Sequence, residues 1–395
     1  MARYQEFYKG SRKRRNYAII PFVIALGVIT LIVVLFYSMQ KYAVISKDGV
    51  DVVLPGMQRE ETTIDSEGRE VRVFETVSPE LVFDEPDYSR VTATAGRRVQ
   101  PIKAIFVSAD ELNRDRLLKY ESRLNDGNAL VLEMKPRSGR LMWHSNAQLA
   151  RDYGIGSASD LGDSPAPMLS ELREAAASRG RDIYLVAQIS CCIDEVLASR
   201  STSLALRTDY GANYSNELGT WLDPYNADVR NYIVELTREL YELGFDEVVL
   251  ADLVHPSALR EEGEEPITFQ YSREMSTTPN PVTAVCGFAL YVADQLADRD
   301  KMLSIYVDSA PALVRNDPNN GQNAVLFFKL YDRVYYRTDR YVYSYNLSDV
   351  EGSVEIGKAT DRFVPVVLNY LPHENSSWIL IDTETDMSTY GQETE

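Results

Sequence analysis

Beyond Pro101 short apolar runs alternate with amphipathic stretches, and this alternation restricts the possible folds more than any other feature of the sequence. Short continuous apolar runs suit strands buried on both faces, as parallel sheets require, and the amphipathic stretches between them supply the crossovers. Ile102–Ser108 (IKAIFVS) reads as the first strand, followed by a helix over about Asp110–Leu124. Ala129–Lys135 (ALVLEMK) is the second strand, Ala166–Ser178 the next helix with Gly180 as its stop, and Ile183–Ser190 (IYLVAQIS) the third strand. A helix then starts on Asn226 and carries Val229, Ile233, Leu236, Leu240 and Leu243 at spacings of three and four before Gly244. Glu247–Asp252 is strand four, a helix follows around Val282–Ala297, and Met302–Asp308 is strand five. Arg333–Thr338, Phe363–Asn369 and Ser377–Asp382 complete a set of eight, with no helix evident between the last two. Eight such strands predict an α/β fold, a (β/α)8 TIM barrel over about 99–385. On pattern alone, the first five fit a doubly wound open sheet equally well.

The N-terminal region has a different character. Tyr17–Tyr37 (YAIIPFVIALGVITLIVVLFY) contains no charged residue, and Arg12–Lys13–Arg14–Arg15 directly precedes it. A run of this length crosses a hydrocarbon core of about 30 Å as a helix. The flanking tyrosines suit the two interfaces, and the basic cluster keeps the N-terminus cytoplasmic. A cleaved signal peptide would have a shorter apolar stretch and small residues at its cleavage site, which the exit FYSMQKY does not offer. The expected organisation is a basic cytoplasmic tail (1–16), a retained signal-anchor helix (17–38), an extracytoplasmic stalk (39–98), the barrel and a short C-terminal tail (386–395). Within the stalk, Ala43–Leu54 carries a D-G turn signal between β-branched residues and predicts a short strand or two. Residues 58–96 read as irregular.

The chain carries a formal net charge of −18, and its first 40 residues are basic, so the remainder is more acidic still. Such a domain repels phosphate backbones, which argues against nucleic acid as a partner, whereas neutral saccharides remain compatible. Three cysteines, Cys191, Cys192 and Cys286, are too few for a disulfide framework, although the adjacent pair leaves a vicinal disulfide open. His144, His255 and His373 form no zinc-binding pattern, and no cofactor is implied. The acidic run Glu261–Glu265 reads as a solvated loop rather than a cation site.

The segment Trp221–Pro256 decides between barrel and open sheet. WLDPYN, an amphipathic helix and ELGFDEVVLADLVHP resemble a family of glycoside-hydrolase-like domains in bacterial exported proteins, where the stretch runs roughly W-x-[DN]-P-Y, helix, E-L-G-F-D-E-I-Q-F-D-Y-V-R-F-P. ALVLEMKPRSGRLMW and GRDIYLVAQISCCIDEVLA are similar to two further motifs of that family, in the same order, so the resemblance covers about Ile102–Asp308. It implies a TIM barrel distantly similar to the α-amylase clan, glycoside hydrolysis, and a polysaccharide or oligosaccharide partner.

The resemblance also implies site residues, with departures. Glu133 stands where the family has a strand-two Asp, Lys135 matches its Lys, and Gln188 replaces a strand-three Arg. Ala251 takes the place of the strand-four Asp with Asp252 one residue beyond, and Val254 takes that of an Arg. The family's strand-five acid falls at about Tyr306, near Asp308. Because strand side chains alternate faces, a one-residue displacement turns Asp252 away from the cleft unless the strand ends early or bulges.

Glycoside hydrolysis needs two carboxyl groups, one protonating the leaving oxygen and one acting as nucleophile or base. The candidates are Asp252 as nucleophile or base, Asp308 or Glu133 as acid, and Lys135 as orienting partner. Gln188, Trp221 and Tyr225 are candidate substrate contacts, and the tyrosine-rich stretch Tyr331–Tyr345 is a candidate groove. Each has a structural alternative: a Glu133–Lys135 ion pair, Asp252 as a cap, Asp308 as a turn residue, and Trp221 and Tyr225 as packing beneath a helix. Two functions stay open, a membrane-anchored hydrolase of envelope or environmental polysaccharide and an inactive glycan-binding or scaffold barrel. A deacetylase-like or other open α/β hydrolase fits less well, since paired histidines and a G-x-S-x-G elbow are absent.

Overall fold

The computed structural model describes residues 43–46, 49–52, 58–64 and 70–76 as backbone strands, and residues 99–381 apart from 125, 158–160, 258–266, 273–279, 315, 339–361 and 369–376. The segment Tyr17–Tyr37, the run Glu261–Glu265 and the tyrosines beyond Thr338 lie outside the described residues. Among the described residues no helix is long and apolar enough to cross a membrane.

The chain divides into two units, Met1–Val82 and Phe83–Glu395. In the first, Ala43–Ser46 pairs antiparallel with Gly49–Val52, where the D-G signal places a turn. Gln58–Ile64 pairs antiparallel with Glu70–Thr76, so part of the stretch read as irregular is a hairpin. The missed signal is the alternation in Glu70–Thr76 (EVRVFET), masked by the many charged residues around it.

The second unit is a closed barrel of eight strands. They are β1 (Lys103–Val107), β2 (Ala129–Lys135), β3 (Tyr184–Ser190), β4 (Glu247–Ala251), β5 (Met302–Val307), β6 (Arg333–Thr338), β7 (Phe363–Leu368) and β8 (Trp378–Ile381). Every adjacent pair is parallel, and β8 closes on β1 with Trp378 opposite Lys103. Closure excludes the open-sheet alternative. The principal helices are α1 (Arg114–Ser122), α2 (Ala166–Ser178), α3 (Ala227–Glu242), α4 (Pro281–Gln295) and α5 (Ala324–Leu330), one after each of the first five strands.

Local sequence explains where these helices begin. Asn113, Asn226, Asn280 and Asn323 each accept a hydrogen bond from a first-turn amide of α1, α3, α4 and α5, satisfying donors that a helix start leaves unpaired. Helix α3 buries Val229, Tyr232, Ile233, Leu236 and Leu240 against the barrel, and Gly244, with φ of 107°, ends it as expected. Alternation along the strands divides the core. Val249 and Ala251 of β4 face the barrel interior, whereas Val248 and Leu250 face the helical layer.

The end of the barrel where the strands begin is closed by a buried polar knot. The Glu247 carboxylate, fully buried, accepts from Ser304 Oγ (2.5 Å), Tyr335 Oη (2.8 Å) and Tyr184 Oη (3.1 Å), and it is ion-paired to Arg333. Arg333 also donates to the carbonyl of Gln100 at 2.8 Å. At the opposite end His255, likewise buried, lies against Pro256 O (2.8 Å) and Tyr271 Oη (2.9 Å), joining two rim segments.

Burial holds His255 down at about 4, although its contact with Pro256 opposes this, so the fold keeps the imidazole neutral. An unfolded histidine takes up its proton below about pH 6.5. Stability contributed by the neutral ring is therefore complete above that pH and is lost as pH falls toward 4, by about 3 kcal/mol. His255→Gln, which keeps polar ends without that titration, is expected to flatten this part of the urea-unfolding pH profile; an unchanged slope would contradict it.

Candidate active site

A cavity of about 420 Å³ opens at the carboxyl ends of the strands, the face on which barrel enzymes place their chemistry. Its two sides differ. β2, β3, β5 and β6 present Glu133, Gln188, Tyr306 and Arg337, whereas β1, β7 and β8 present Phe106, Val366 and Ile381. A half-polar, half-apolar chamber suits a sugar ring, which has hydroxyls at its edge and C–H groups on its faces.

The three candidate carboxylates all reach this chamber. Asp252 does so against the expectation from alternation. Strand β4 stops at Ala251, whose methyl group faces the interior, and Asp252 adopts φ of 51°, alone among the described non-glycine residues in being positive. Aspartate tolerates this left-handed conformation better than most residues, and such backbone outliers cluster at functional sites. With 7% of its surface exposed, Asp252 accepts two hydrogen bonds on Oδ1 from Arg137, from Nε at 3.0 Å and from Nη2 at 2.6 Å. The early strand end thus brings the displaced acid into the cleft.

Glu133 accepts from the backbone N–H of Ala109 at 3.0 Å. Burial raises its carboxyl above the ordinary range; the Ala109 bond and Arg137 oppose this, whereas Asp252 and Asp110 add to it. Asp308 is pushed up to about 6, first by the surrounding protein mass and then by the Asp252 charge, against Gln322, Arg137 and Arg337. Its side chain still reaches solvent through the cavity mouth, so it can exchange protons with water. Gln322, fully buried, shares the two hydrogens of Nε2 among Tyr306 O (3.0 Å), Asp308 Oδ2 (3.1 Å) and Leu253 O (3.3 Å), and its Oε1 accepts from Asp308 N (2.8 Å). Burial also raises the Tyr306 phenol, keeping it neutral beside the three acids.

Four of the seven sequence candidates, Glu133, Gln188, Asp252 and Asp308, line the chamber, and Gln188 stands in register with Glu133. The carbonyl oxygen of the Gln188 amide is buried without a hydrogen-bond partner. Lys135 does not line it. Its ammonium is fully buried 2.9 Å from Asp194 Oδ2 and donates to Ser190 O at 2.7 Å, so neither a substrate contact nor a Glu133–Lys135 ion pair forms. Trp221 and Tyr225 do not line it either. Both rings are buried: Trp221 donates to Asn216 Oδ1 at 3.0 Å, and Tyr225 donates to Asn280 O at 3.1 Å and meets Tyr271 edge-on. Both rings are packed inside the protein, Trp221 against Tyr214 and Tyr225 under the Arg230 guanidinium of α3.

Cys191 and Cys192 are free and buried, with no vicinal disulfide, and burial pushes the Cys192 thiol up to about 12. No cluster able to hold a metal ion occurs among the described residues. Residues not anticipated from sequence include Arg137, Arg337 and Gln322. Arg137 had a visible signal, a cation two positions past a strand end in the turn PRSG; Gln322 had none, since only the folded loop brings it back to Asp308.

The closed parallel barrel with acids at its carboxyl rim defines a glycoside-hydrolase-like (β/α)8 domain. The chain belongs to the family described as "Putative glycosyl hydrolase domain", which matches residues 104–336. Among solved structures it is similar to the glycoside hydrolase domain of PgaB (BpsB) from Bordetella bronchiseptica, with 13% identity over 72% of this chain and 94% of that one and a TM-score of 0.50. A hypothetical protein from Ruminiclostridium thermocellum is 23% identical over 51% of this chain and 96% of its own, with a TM-score of 0.41. The glycoside hydrolase domain of PelA from Pseudomonas aeruginosa is 12% identical over 71% and 95%, with a TM-score of 0.38. At these identities the likeness is one of fold. No curated protein matches the chain.

Proposed function

We propose that this protein is a glycoside hydrolase of the cell envelope, anchored by Tyr17–Tyr37 with its barrel outside the cytoplasm and acting on a neighbouring or environmental polysaccharide. The observation carrying this reading is the convergence of Glu133, Asp252 and Asp308, from the ends of three strands, on one chamber of sugar-sized volume. Asp308, whose carboxyl holds its proton to about pH 6, is the general acid. Asp252, oriented by Arg137, is the nucleophile or base. Glu133, whose carboxyl burial raises above the ordinary range, is a second acid beside it, and Gln188, Tyr306 and Arg337 meet the sugar. Residues 39–98 hold the barrel off the membrane, and nucleic acid is not a partner.

A second reading, an inactive glycan-binding barrel, draws on two features. Arg137 already engages Asp252, and Ala251 and Tyr306 occupy the positions where the family resemblance places acids. Incubating the full-length chain with a panel of cell-wall and plant glycans separates the two. Release of reducing ends that Asp252→Asn abolishes supports the hydrolase; retention of a glycan with no release by the parent chain supports the binding module.

A further inference from the structure

We propose that Lys135 and Asp194 form a positioning pair that sets Arg137 against Asp252 by pinning the loop after β2 to the turn after β3. The proposal rests on the hydrolytic reading of the chamber, although neither Lys135 nor Asp194 lines it.

The contacts form a continuous path. Lys135 ends β2 and is fully buried, as is Asp194, with Nζ 2.9 Å from Asp194 Oδ2 and 2.7 Å from Ser190 O. The other oxygen of Asp194 accepts the Leu197 amide at 2.7 Å and caps the short helix Glu195–Arg200. The loop carrying Arg137 lies across the start of that helix. The Glu195 amide donates to Arg137 O at 3.2 Å and the Val196 amide to Ser138 O at 3.1 Å. Gly139, with φ of 79°, completes the fit, since a Cβ there would come within 1.8 Å of Asp194 Oδ1. The turn after β3 also grips strand four: the Cys191 amide donates to Ala251 O at 2.9 Å and the Cys192 amide to Asp252 O at 3.1 Å. Residues 190–196 therefore hold the main chain of both members of the Arg137–Asp252 pair, and the Lys135–Asp194 contact fastens that turn to β2.

Stability alone is a poor reason for such a contact. Burying two ions costs several kcal/mol each, and apolar residues of similar volume often serve as well or better. Registration of a loop is a use that an apolar pair does not reproduce, since the Lys135 ammonium holds both Ser190 O and the carboxylate that caps the following helix.

The test uses the full-length chain and needs no substrate. Lys135→Met/Asp194→Leu removes both charges together, leaving neither buried alone; Arg137→Met and the triple variant complete the cycle. Folding is followed by urea unfolding, and the Asp308 carboxyl is titrated by carbon-13 NMR. With the pair removed, Arg137 leaves its place and no longer opposes the proton on Asp308. The Asp308 midpoint is then expected to rise, by about 1 pH unit, as it does in Arg137→Met, with no further rise in the triple variant. An unmoved midpoint in the folded pair variant, or additive displacements, would overturn the proposal.

Should the pair variant not fold, Glu195→Pro cuts the same path elsewhere. It deletes the amide that holds Arg137 O at a first helical position, where proline is tolerated. It should raise the Asp308 midpoint in the same direction but not in an Arg137→Met background, and an unmoved midpoint there counts against the pin as well. Since these outcomes are read without glycan, a chain that hydrolyses nothing can still show the pin, and an active hydrolase can lack it.

Discussion

Asp308→Asn is expected to lower hydrolysis of an unactivated glycan by about 10²–10⁴-fold, the usual contribution of a positioned general acid. Burial and the neighbouring Asp252 keep Asp308 protonated to about pH 6, so the parent rate should decline as pH rises through that value. Asparagine cannot deliver the proton, so this basic limb should vanish with the rate. A substrate whose leaving group needs no protonation, such as a nitrophenyl glycoside accepted by the parent chain, should lose much less. The comparison locates the defect in proton delivery rather than in binding. If the basic limb survives in Asp308→Asn, the acid lies elsewhere and Glu133 becomes the group to replace. Folding should not suffer, because the substitution removes a charge that the neighbouring Asp252 carboxylate disfavours at neutral pH.

The largest stability effect is expected at the other end of the barrel. Glu247→Ala leaves the Arg333 guanidinium, 2% exposed, without its carboxylate and strips a partner from the hydroxyls of Ser304, Tyr184 and Tyr335. Breaking a buried ion pair from one side typically costs about 3–5 kcal/mol, because the remaining charge stays buried. The urea midpoint should fall accordingly. Glu247→Leu/Arg333→Met should recover most of the loss, since neither charge is then stranded. A single variant as stable as the parent would mean that water reaches Arg333. The knot occupies the end of the barrel away from the chamber, so the recovered double variant should match the parent chain in the glycan-release assay.

Particular elements show how much of this architecture was legible beforehand. Strands β2 and β6 have the boundaries read from their apolar runs, and the other six differ by a residue or two at their ends. Helix α3 begins at its asparagine cap and ends just before Gly244. These features are local: a period, a cap and a stop act within a few residues of chain. The hairpin at 58–76 escaped because its alternation spans only one short strand amid charge. At the site, Glu133, Gln188, Asp252 and Asp308 were recognisable as rim positions because a barrel brings strand ends together wherever they fall in the sequence.

Their roles were less legible. Whether Asp252 faced the cleft depended on one backbone angle, φ of 51°, and on an arginine 115 residues away in sequence. Lys135 looked like a partner for Glu133 because the two are neighbours in sequence, yet its charge is satisfied by Asp194 from the next turn. Trp221 and Tyr225 looked available to sugars and proved to be buried.

The sequence by itself determined the order of strands and helices, the helix starts and the family, because hydrophobic period and capping are short-range physics. Tertiary structure alone decided which polar groups share a chamber and which neutralise one another. Pairing of buried charges depends on distances between segments remote in the chain, and the barrel sets those distances only when it closes.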